Sequence, residues 1–436
     1  MEKIFGIFRL GTKYLYHYRR RYVFLITAMI FGFTIVTFIT SIKDGMYDSV
    51  YYSAQSHYAG DIVAIGYDFY FGREYHHRLG ENEISVILGA AEKAGIKAQY
   101  TVLRTLYGSN GIVYFNGSGI QLKYLIGCDW ENEAHLFNKM NYDEPLVFSD
   151  EGIILSTPVA AQLGALIGDR VILEVQTRWG QKNTGDFIVN GIVHDTSIFG
   201  YYKAYISRLS LNRLVDYEDT DCSTIGFFLD NPNQAEQKRK EFQNVLSNQL
   251  QTGPLVYDRY EMALERDRPW QGIRVFLYTM QVYLSEISEL LDAMNIITYI
   301  IYGIMLLIIL VSATVTYSLI MNERVREMGI MRAIGFYGTD LRLVLWSEII
   351  VIGFVSLITG FLLARILCWG ISFLSFSWFT GFEIFLKNGR LTALYSAPTI
   401  LTNVLLIFLV LFIMTLFPSL RASRKNLSSL LSGEPL

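Results

Sequence analysis

Charged residues are scarce in this sequence: 18% of its 436 residues are Asp, Glu, Lys or Arg, whereas 52% are hydrophobic and 14% are aromatic. So low a charged fraction excludes an ordinary soluble protein and favours a protein of the lipid bilayer. Cysteine is scarce too, with only Cys128, Cys222 and Cys368. A chain of this size does not need a disulfide staple, so we interpret the thiols as small buried apolar groups, with a bridge between Cys128 and Cys222 as the alternative.

Catalytic motifs are also lacking. No G-x-x-x-x-G-K-[ST] phosphate loop occurs, and the glycine-rich stretch GSNGIVYFNGS at 108–118 lacks the lysine that would reach the phosphates. The sequence shows no paired carboxylates and no nucleophile constellation. His76 and His77 are adjacent, point in different directions and have no second ligand pair nearby. We therefore expect that the chain is not an enzyme and binds no metal and no cofactor of its own.

Long apolar runs, in contrast, are abundant. A membrane span needs roughly 20 apolar residues, because the hydrocarbon core is about 30 Å thick and a helix rises about 1.5 Å per residue. Four runs are long enough, and a polar region of about 250 residues, enough for an independent domain, separates the first from the second. The predicted order is a basic N-terminal segment (1–21), transmembrane helix 1 (22–42), an inserted domain (43–292), transmembrane helix 2 continuing a stalk (293–321), a loop with a short helix (322–342), transmembrane helix 3 (343–370), a loop (371–396), transmembrane helix 4 (397–417) and a C-terminal tail (418–436).

Positive charges assign the two sides of the membrane, because Lys and Arg near span ends are retained in the cytoplasm. The short loop between the third and fourth runs has only Lys387 and Arg390 against Glu383. Both termini are therefore predicted to be cytoplasmic and the inserted domain extracytoplasmic. The first run is interpreted as a retained anchor, since it is too long for a signal peptide and no convincing cleavage site follows it. The positive charges that cluster on the cytoplasmic side are Lys3, Arg9, Lys13, Arg19, Arg20 and Arg21, then Arg324, Arg326, Arg332 and Arg342, then Arg421, Arg424 and Lys425.

The inserted region mixes strand and helix patterns. GDIVAIGY (60–67) and GIVYFN (111–116) are typical of strands, and ENEISVILGAAEKAG (81–95) has the spacing of an amphipathic helix. Residues 151–175 predict a strand, a helix with Pro158 in its first turn, and a second strand. Strands are also predicted in DFIVNGIVHD and KAYISR, and a charged surface helix over 231–250. The predicted fold is membrane α-helical, with four transmembrane helices and a large extracytoplasmic α+β domain, of one or two lobes, between helices 1 and 2.

The segment NERVREMGIMRAIGF, residues 322–336, lies between two apolar runs. A helix over 323–334 would align an acidic and apolar stripe that could dock on a partner protein. The alternative is an interfacial helix with its apolar side in the headgroups and its arginines on lipid phosphates, and periodicity does not separate the two. The stripe holds Glu323, Glu327, Ile330 and Ile334 with Met331 beside it, Gly335 is the predicted C-terminal stop, and Gly338 the turn toward the third span.

This segment resembles the cytoplasmic coupling helix of the FtsX-like or MacB-type permeases of ABC systems, in which an Arg- and Glu-rich start precedes Glu-Gly, apolar residues and Arg/Lys-Ala-x-Gly. The family's other segments follow in order: a first span like YLYHYRRRYVFLITAMIFGFTIVTFITSIKDGM, an outer-domain helix and strand like EGIILSTPVAAQLGALIGDRVIL, a third span like WSEIIVIGFVSLITGFLLAR and a C-terminal exit like FPSLRASRKNLSSLLSGEP. The resemblance covers almost the whole chain, and in layout it comes nearest to the Lol lipoprotein-releasing permeases.

The resemblance implies a multi-pass protein of the bacterial cytoplasmic (inner) membrane that docks on a separate ABC ATPase subunit. That subunit would hold ATP and magnesium, and the long second span would convey its motion to the outer domain; SEISELLDAMNIITYIIYGIMLL permits such a continuous helix because no Pro or Gly interrupts 285–302. Further implied partners are a second permease copy or a paralogous permease, membrane lipid, and a lipoprotein or periplasmic protein, but no nucleic acid. The coupling residues would be Glu323, Arg324, Arg326, Glu327, Met328, Ile330, Met331, Arg332, Ile334 and Gly335.

Two functions stay open. The first is the transmembrane subunit of an ATP-driven transporter that extracts or exports a lipoprotein, lipid or other amphiphile on the extracytoplasmic side. The second is an FtsX-like signalling subunit that activates a cell-wall hydrolase and carries nothing. The large inserted domain favours the first, because the outer domain of FtsX is smaller. The substrate, the direction of transport and the choice between a homodimer and a heterodimer of permeases are not specified by the sequence.

Two weaker site candidates lie elsewhere. In the aromatic run YDFYFGREYHH, Tyr67, Phe69, Tyr70 and Phe71 could contact an acyl chain, although such residues more often pack in a core or rest on the bilayer surface. Glu348, about one turn inside the third span, is a functional or structural candidate that we expect to pair with an arginine near the preceding loop.

Overall fold

The computed structural model describes residues 19–70, 74–108, 111–138, 140, 142, 144–194, 200–376, 382–387 and 389–424. The chain divides into two compact units. The membrane unit comprises residues 1–46, 292–375 and 391–436, and the sheet unit comprises residues 47–291 and 376–390. Phe71 and the predicted charges before Arg19 and after Arg424 lie outside the described residues.

The described secondary structure alternates strands and short helices between the long helices. The α-helices are α1 (Arg19–Tyr58), α2 (Glu81–Lys93), α3 (Trp130–Phe137), α4 (Thr157–Leu163), α5 (Arg208–Val215), α6 (Ala235–Leu246), α7 (Arg259–Arg266), α8 (Met280–Tyr283), α9 (Ser285–Glu323), α10 (Val325–Ala333), α11 (Gly338–Ile371) and α12 (Ala397–Arg424). The strands are β1 (Ile62–Tyr70), β2 (Glu74–His77), β3 (Ala98–Tyr107), β4 (Ile112–Phe115), β5 (Ser118–Gln121), β6 (Tyr124–Cys128), β7 (Gly152–Ser156), β8 (Arg170–Gln176), β9 (Lys182–Val193), β10 (Lys203–Ser207), β11 (Thr224–Leu229) and β12 (Gly272–Thr279). Short 3₁₀ turns occupy Pro232–Gln234 and Glu383–Phe385.

Four helices, α1, α9, α11 and α12, are long and apolar enough to cross a membrane. With the α+β region between the first and second of them, this confirms the predicted fold class. Two helices run well beyond the apolar segments: α1 continues to Tyr58, and α9 begins already at Ser285. Neither extension contains a proline, so nothing in the sequence breaks the backbone hydrogen-bond ladder. The expected continuous helix through the second span is confirmed.

The membrane unit is held by one hydrophobic cluster to which α1, α9, α10, α11 and α12 all contribute. Helices α1 and α11 approach closely at Gly360, where an added Cβ would lie 3.0 Å from Phe33 Cδ1. At the same crossing, the hydroxyl of Thr34 donates to the carbonyl oxygen of Gly360 at 3.2 Å. A small residue thus lets two apolar helices meet, as is common between membrane helices.

The sheet unit is built on a twelve-stranded mixed sheet. Its strand order is β12-β1-β11-β3-β6-β10-β7-β9-β8-β4-β5, with β2 paired to β1 beside this path. Most neighbours are antiparallel, whereas β6 with β10 and β7 with β9 run parallel. Every strand and helix predicted between residues 60 and 207 is present, including α4 with a proline in its first turn and Gly164 in the left-handed conformation at its end.

Strand β3 joins the two halves of the sheet. Residues 98–104 pair with β11, and residues 105–107 pair with β6. One hydrophobic cluster lies on the half formed by β1, β11 and β12, which α2 and α6 cover. A second cluster lies on the half formed by β4 and β6 to β10, which α4 and α5 cover. The unit therefore has two lobes on one continuous sheet.

Helix α6 and the two cysteines of the sheet unit all contribute side chains to the buried interior. The predicted charged helix at 231–250 starts only at Ala235, and its inner face buries Phe242, Leu246 and the charged Arg239. Cys128 and Cys222 are both free buried thiols that belong to different hydrophobic clusters. The interpretation as small apolar side chains is thus confirmed over the disulfide alternative.

Candidate coupling site

The candidate site is α10, the short helix between the second and third long helices. It begins at Val325, because Arg324 has left the helical conformation with φ −97° and ψ 5°. It ends at Ala333, and Gly335 follows with φ +103°, a backbone conformation that favours glycine. The amides of Gly335 and Phe336 donate to the carbonyls of Arg332 and Met331, which caps the helix end.

Two details of the predicted helix were wrong. The helix does not include Glu323, which is the last residue of α9. Gly338 does not form the turn toward the third span, because it is already the first residue of α11. The predicted glycine stop at Gly335 is confirmed.

One face of α10 packs into the membrane unit. Val325, Met328 and Met331 follow one another at helical spacing and are 1%, 1% and 5% exposed. All three belong to the hydrophobic cluster shared by the long helices. The predicted coupling residues Met328 and Met331 are therefore interior groups that hold the helix in place, and neither forms part of its surface.

The opposite face of α10 is open. Ile330 is 52% exposed, and Ile334 in the turn after the helix is 74% exposed. Tyr337, three residues further on and missed by the sequence reasoning, is also 74% exposed. The helix has already ended before Tyr337, so helical periodicity carries no signal for this residue. The predicted residues Glu323, Arg326 and Gly335 are exposed, and Glu327 and Arg332 are half-buried.

The remaining predicted residue, Arg324, lies at the centre of a buried polar cluster. Its Nη1 donates to Glu348 Oε2 at 2.8 Å, and its Nη2 donates to Glu348 Oε1 at 3.1 Å. The hydroxyl of Tyr22 lies 2.7 Å from Arg324 Nη1 and donates to Glu348 Oε2 at 2.7 Å. Tyr22, Arg324 and Glu348 are each 1% exposed or less. The expected pairing of Glu348 with an arginine near the loop is confirmed.

The cluster joins three elements that are far apart in sequence. Tyr22 lies near the start of α1, Arg324 separates α9 from α10, and Glu348 lies in α11. A guanidinium that meets both carboxylate oxygens fixes orientation as well as distance. Removing one member of such a buried pair typically costs about 3–5 kcal/mol, because the other charge stays buried without its counterpart. The cluster therefore strongly favours one arrangement of these helix segments.

Of the aromatic candidates in the sheet unit, the structure describes the surroundings of Tyr67 and Phe69. Tyr67 is 1% exposed and packs edge-to-face against Phe276. Phe69 is half-buried against Trp270, with 5.3 Å between the ring centroids. Tyr70 ends β1. For Tyr67, core packing is the role that its contacts support.

A buried ion pair in the sheet unit was missed by the sequence reasoning. Arg104 donates through Nε and Nη2 to Glu133 Oε2 at 2.9 and 2.6 Å, and both side chains are almost fully buried. Arg104 Nη1 also donates to the carbonyls of Ser56 and His57 in the last turn of α1. Burial by itself would lower the pKa of Arg104, but the neighbouring carboxylate of Glu133 outweighs it and raises the pKa.

A second buried carboxylate, Asp61, lies just after α1. It accepts hydrogen bonds from the Tyr51 hydroxyl at 2.6 Å, from Gln55 Nε2 at 2.9 Å and from the Leu229 amide at 2.8 Å. Burial raises the pKa of Asp61, and these three donors oppose the shift. Together, Arg104 and Asp61 fasten the end of α1 to the sheet.

The sequence of the membrane unit matches a known protein family. Residues 299–427 match the family model described as FtsX-like permease C-terminal. The resemblance predicted from the sequence is thereby confirmed for this part of the chain, which runs from within α9 through α10 and α11 to α12 and is similar to the C-terminal part of FtsX-like permeases. Proteins of this family are membrane subunits of ABC systems whose ATPase is a separate subunit.

Two solved structures align with parts of the chain. The periplasmic region of MacB from Actinobacillus actinomycetemcomitans is 12% identical and covers 44% of this chain and 87% of its own, with a TM-score of 0.29. A domain assigned to a permease of Porphyromonas gingivalis is 11% identical and covers 50% of this chain and 86% of its own, with a TM-score of 0.25. No curated protein matches the sequence.

Proposed function

We propose that this chain is the permease subunit of an ATP-driven ABC transporter of the mechanotransmission type. In this proposal, α10 docks on a separate ATPase subunit that binds ATP and magnesium, and α9 conveys the movement of α10 to the sheet unit. The observation that carries the proposal is the open apolar face of α10, presented by a helix whose other face is anchored among the long helices.

The distribution of apolar residues favours docking over a position in the lipid headgroups. A headgroup helix has one apolar face, which it turns into the membrane, and a polar face toward water. Helix α10 already buries Val325 and Met328 against the membrane unit, yet Ile330 on the helix remains exposed, as do Ile334 and Tyr337 just after it. An exposed apolar stripe opposite a packed face is typical of a protein interface. The charged Arg326 and Glu327 beside it would give the contact its polar rim.

A second permease, either a copy of this chain or a paralogue, is the other proposed partner. Only 11% of the apolar stretch of α9 is buried within the chain, against 35–39% for the other three long helices. Its exposed residues include a stripe at helical spacing, Ile296, Ile300, Ile304, Leu307, Val311 and Val315. This stripe is the surface that we assign to the second permease.

We further propose that the sheet unit and the loop between α11 and α12 lie outside the cytoplasm of a bacterial inner membrane, with both termini inside. The distribution of Lys and Arg supports this orientation. The proposed cargo is a lipoprotein, lipid or other amphiphile taken from the extracytoplasmic side. The extent of the sheet unit, residues 47–291 with 376–390, favours transport over signalling to a cell-wall hydrolase.

The docking role is tested by replacing two exposed residues, Ile330→Ala with Tyr337→Ala, and purifying the permease with its ATPase. If both residues are central to the contact, the loss is on the order of 2–4 kcal/mol, so the affinity should fall roughly 30- to 1,000-fold. A matched control is Ile358→Ala, which removes another exposed isoleucine (62%, against 52% for Ile330) from the middle of α11. Co-purification of the ATPase at the normal ratio, with undiminished transport-coupled hydrolysis, would refute the docking role.

A further inference from the structure

Arg324 is the one residue between α9 and α10 that belongs to neither helix. A residue at such a junction sets the angle at which the second helix leaves the first, because its two backbone dihedrals are not fixed by a helical ladder. Such hinge residues are often small, although they need not be. Here, the side chain is an arginine that is 1% exposed.

The side chain of Arg324 is held from two directions. Glu348 of α11 accepts from both terminal nitrogens, and Tyr22 of α1 lies within hydrogen-bond distance of Nη1. Arg324 Nε also lies 3.5 Å from Glu327 Oε2, one turn into α10. The residue that sets the angle between α9 and α10 is therefore tied to two other helices and to the first turn of α10 itself.

We propose that Arg324, Glu348 and Tyr22 are positioning residues that couple movement of α10 to movement of α1 and α11. This inference rests on the proposed function, because it assumes that a partner displaces α10. The three side chains form no part of the docking surface, since all are buried. Their task is to make the displacement of α10 a displacement of the helix bundle instead of a local rotation at the junction.

Burial makes the cluster behave as a unit. A rotation at Arg324 that separates the guanidinium from Glu348 would leave two charges in the interior without their counterparts, and such states are strongly disfavoured. Lysine cannot replace Arg324 here, because the planar guanidinium forms two parallel hydrogen bonds to the two carboxylate oxygens, whereas an ammonium group acts as a single point charge. Because a rotation that breaks the ion pair is disfavoured, α10 is expected to move together with Arg324, Glu348 and Tyr22.

A purely structural role would predict something different. Buried ion pairs can often be replaced by apolar residues of similar volume without loss of stability. If the pair only holds the helix bundle together, the double variant Arg324→Met with Glu348→Met should therefore keep wild-type transport-coupled hydrolysis. If the pair positions α10, the double variant should assemble normally but lose coupling, because methionines pack without fixing an orientation.

The experiment compares Arg324→Lys, Glu348→Gln and the double methionine variant in the complete complex of permease and ATPase. We expect Arg324→Lys and the double methionine variant to retain the ATPase at the wild-type ratio and to hydrolyse ATP, with transport-coupled hydrolysis lowered about tenfold or more. Glu348→Gln should in addition be destabilised, because the guanidinium loses its counter-charge. Arg365→Lys is the matched control, since it makes the same change at an exposed arginine of α11.

Three outcomes are decisive. Wild-type coupling in the double methionine variant would overturn the positioning role. Loss of the ATPase from that variant would also overturn it, by showing that the pair maintains the docking surface. The proposed function is tested separately by Ile330→Ala with Tyr337→Ala. If that variant bound the ATPase as well as the wild type, α10 would not be the docking element and the proposed function itself would fail.

Discussion

Glu133 offers the sharpest test of how the sheet unit is stabilised. Its carboxylate is 0% exposed and is the ionic partner of Arg104, which is itself 1% exposed. Glu133→Ala leaves a guanidinium in the interior, where the loss of one partner costs about 3–5 kcal/mol. A domain of this size loses about 2–4 °C of melting temperature per kcal/mol, so the midpoint should fall by roughly 6–20 °C.

The assay is the thermal and urea unfolding of residues 44–290 produced alone, which we expect to be soluble and to unfold cooperatively. The control is Asp219→Ala. Asp219 also accepts from an arginine, Arg213, but the two side chains are 56% and 66% exposed, and such surface pairs contribute about 0–1 kcal/mol. If Glu133→Ala were as mild as Asp219→Ala, the burial argument would be refuted. A fragment that stays disordered by circular dichroism would mean that the sheet unit does not fold by itself.

Two further predictions concern the membrane orientation and a buried thiol. A cysteine placed at Asn233 should react with an impermeant reagent added to intact cells, whereas one at Ser423 should not; labelling of both from outside would contradict the proposed orientation. Burial raises the pKa of Cys222 to about 12, so its ionised form is accessible chiefly after unfolding. The free energy of unfolding of the sheet unit should therefore fall as the pH rises above about 9, and at pH 10 the wild type should have lost about 1–2 kcal/mol more than Cys222→Ala. Parallel pH curves for the two proteins would show that the thiol does not contribute.

The parts of the fold that the sequence predicted are those with a local signal. The apolar runs were sufficient for the four long helices, and strand and helix periodicity located β1, α2 and the β7-α4-β8 segment. The order of the strands was not accessible, because the pairing of β3 with both β11 and β6 depends on residues far apart in the chain. The extension of α1 beyond residue 42 was missed because its polar sequence carries no span signal, although it contains no helix-breaking proline.

The candidate site was predictable on one face only. Helical spacing correctly predicted that Ile330 and Ile334 are exposed. The same spacing placed Met331 beside them, but Met331 is buried by tertiary packing, which the sequence does not show. The sequence predicted that Glu348 pairs with an arginine, because a carboxylate inside a span requires a counter-charge, but it did not identify Arg324 as the partner. The participation of Tyr22 had no sequence signal, since a tyrosine at the start of a span is typical of the membrane interface.

The two attachments of Arg104 have a mechanical consequence. Arg104 is the last residue of β3 that pairs with β11, and Thr105 is the first that pairs with β6. The carbonyls of Ser56 and His57 at the end of α1 are therefore bound at the seam between the two lobes of the sheet. The end of α1 is thus attached to β3, the strand that pairs with both lobes, so a displacement of this end would act on both lobes at the strand they share.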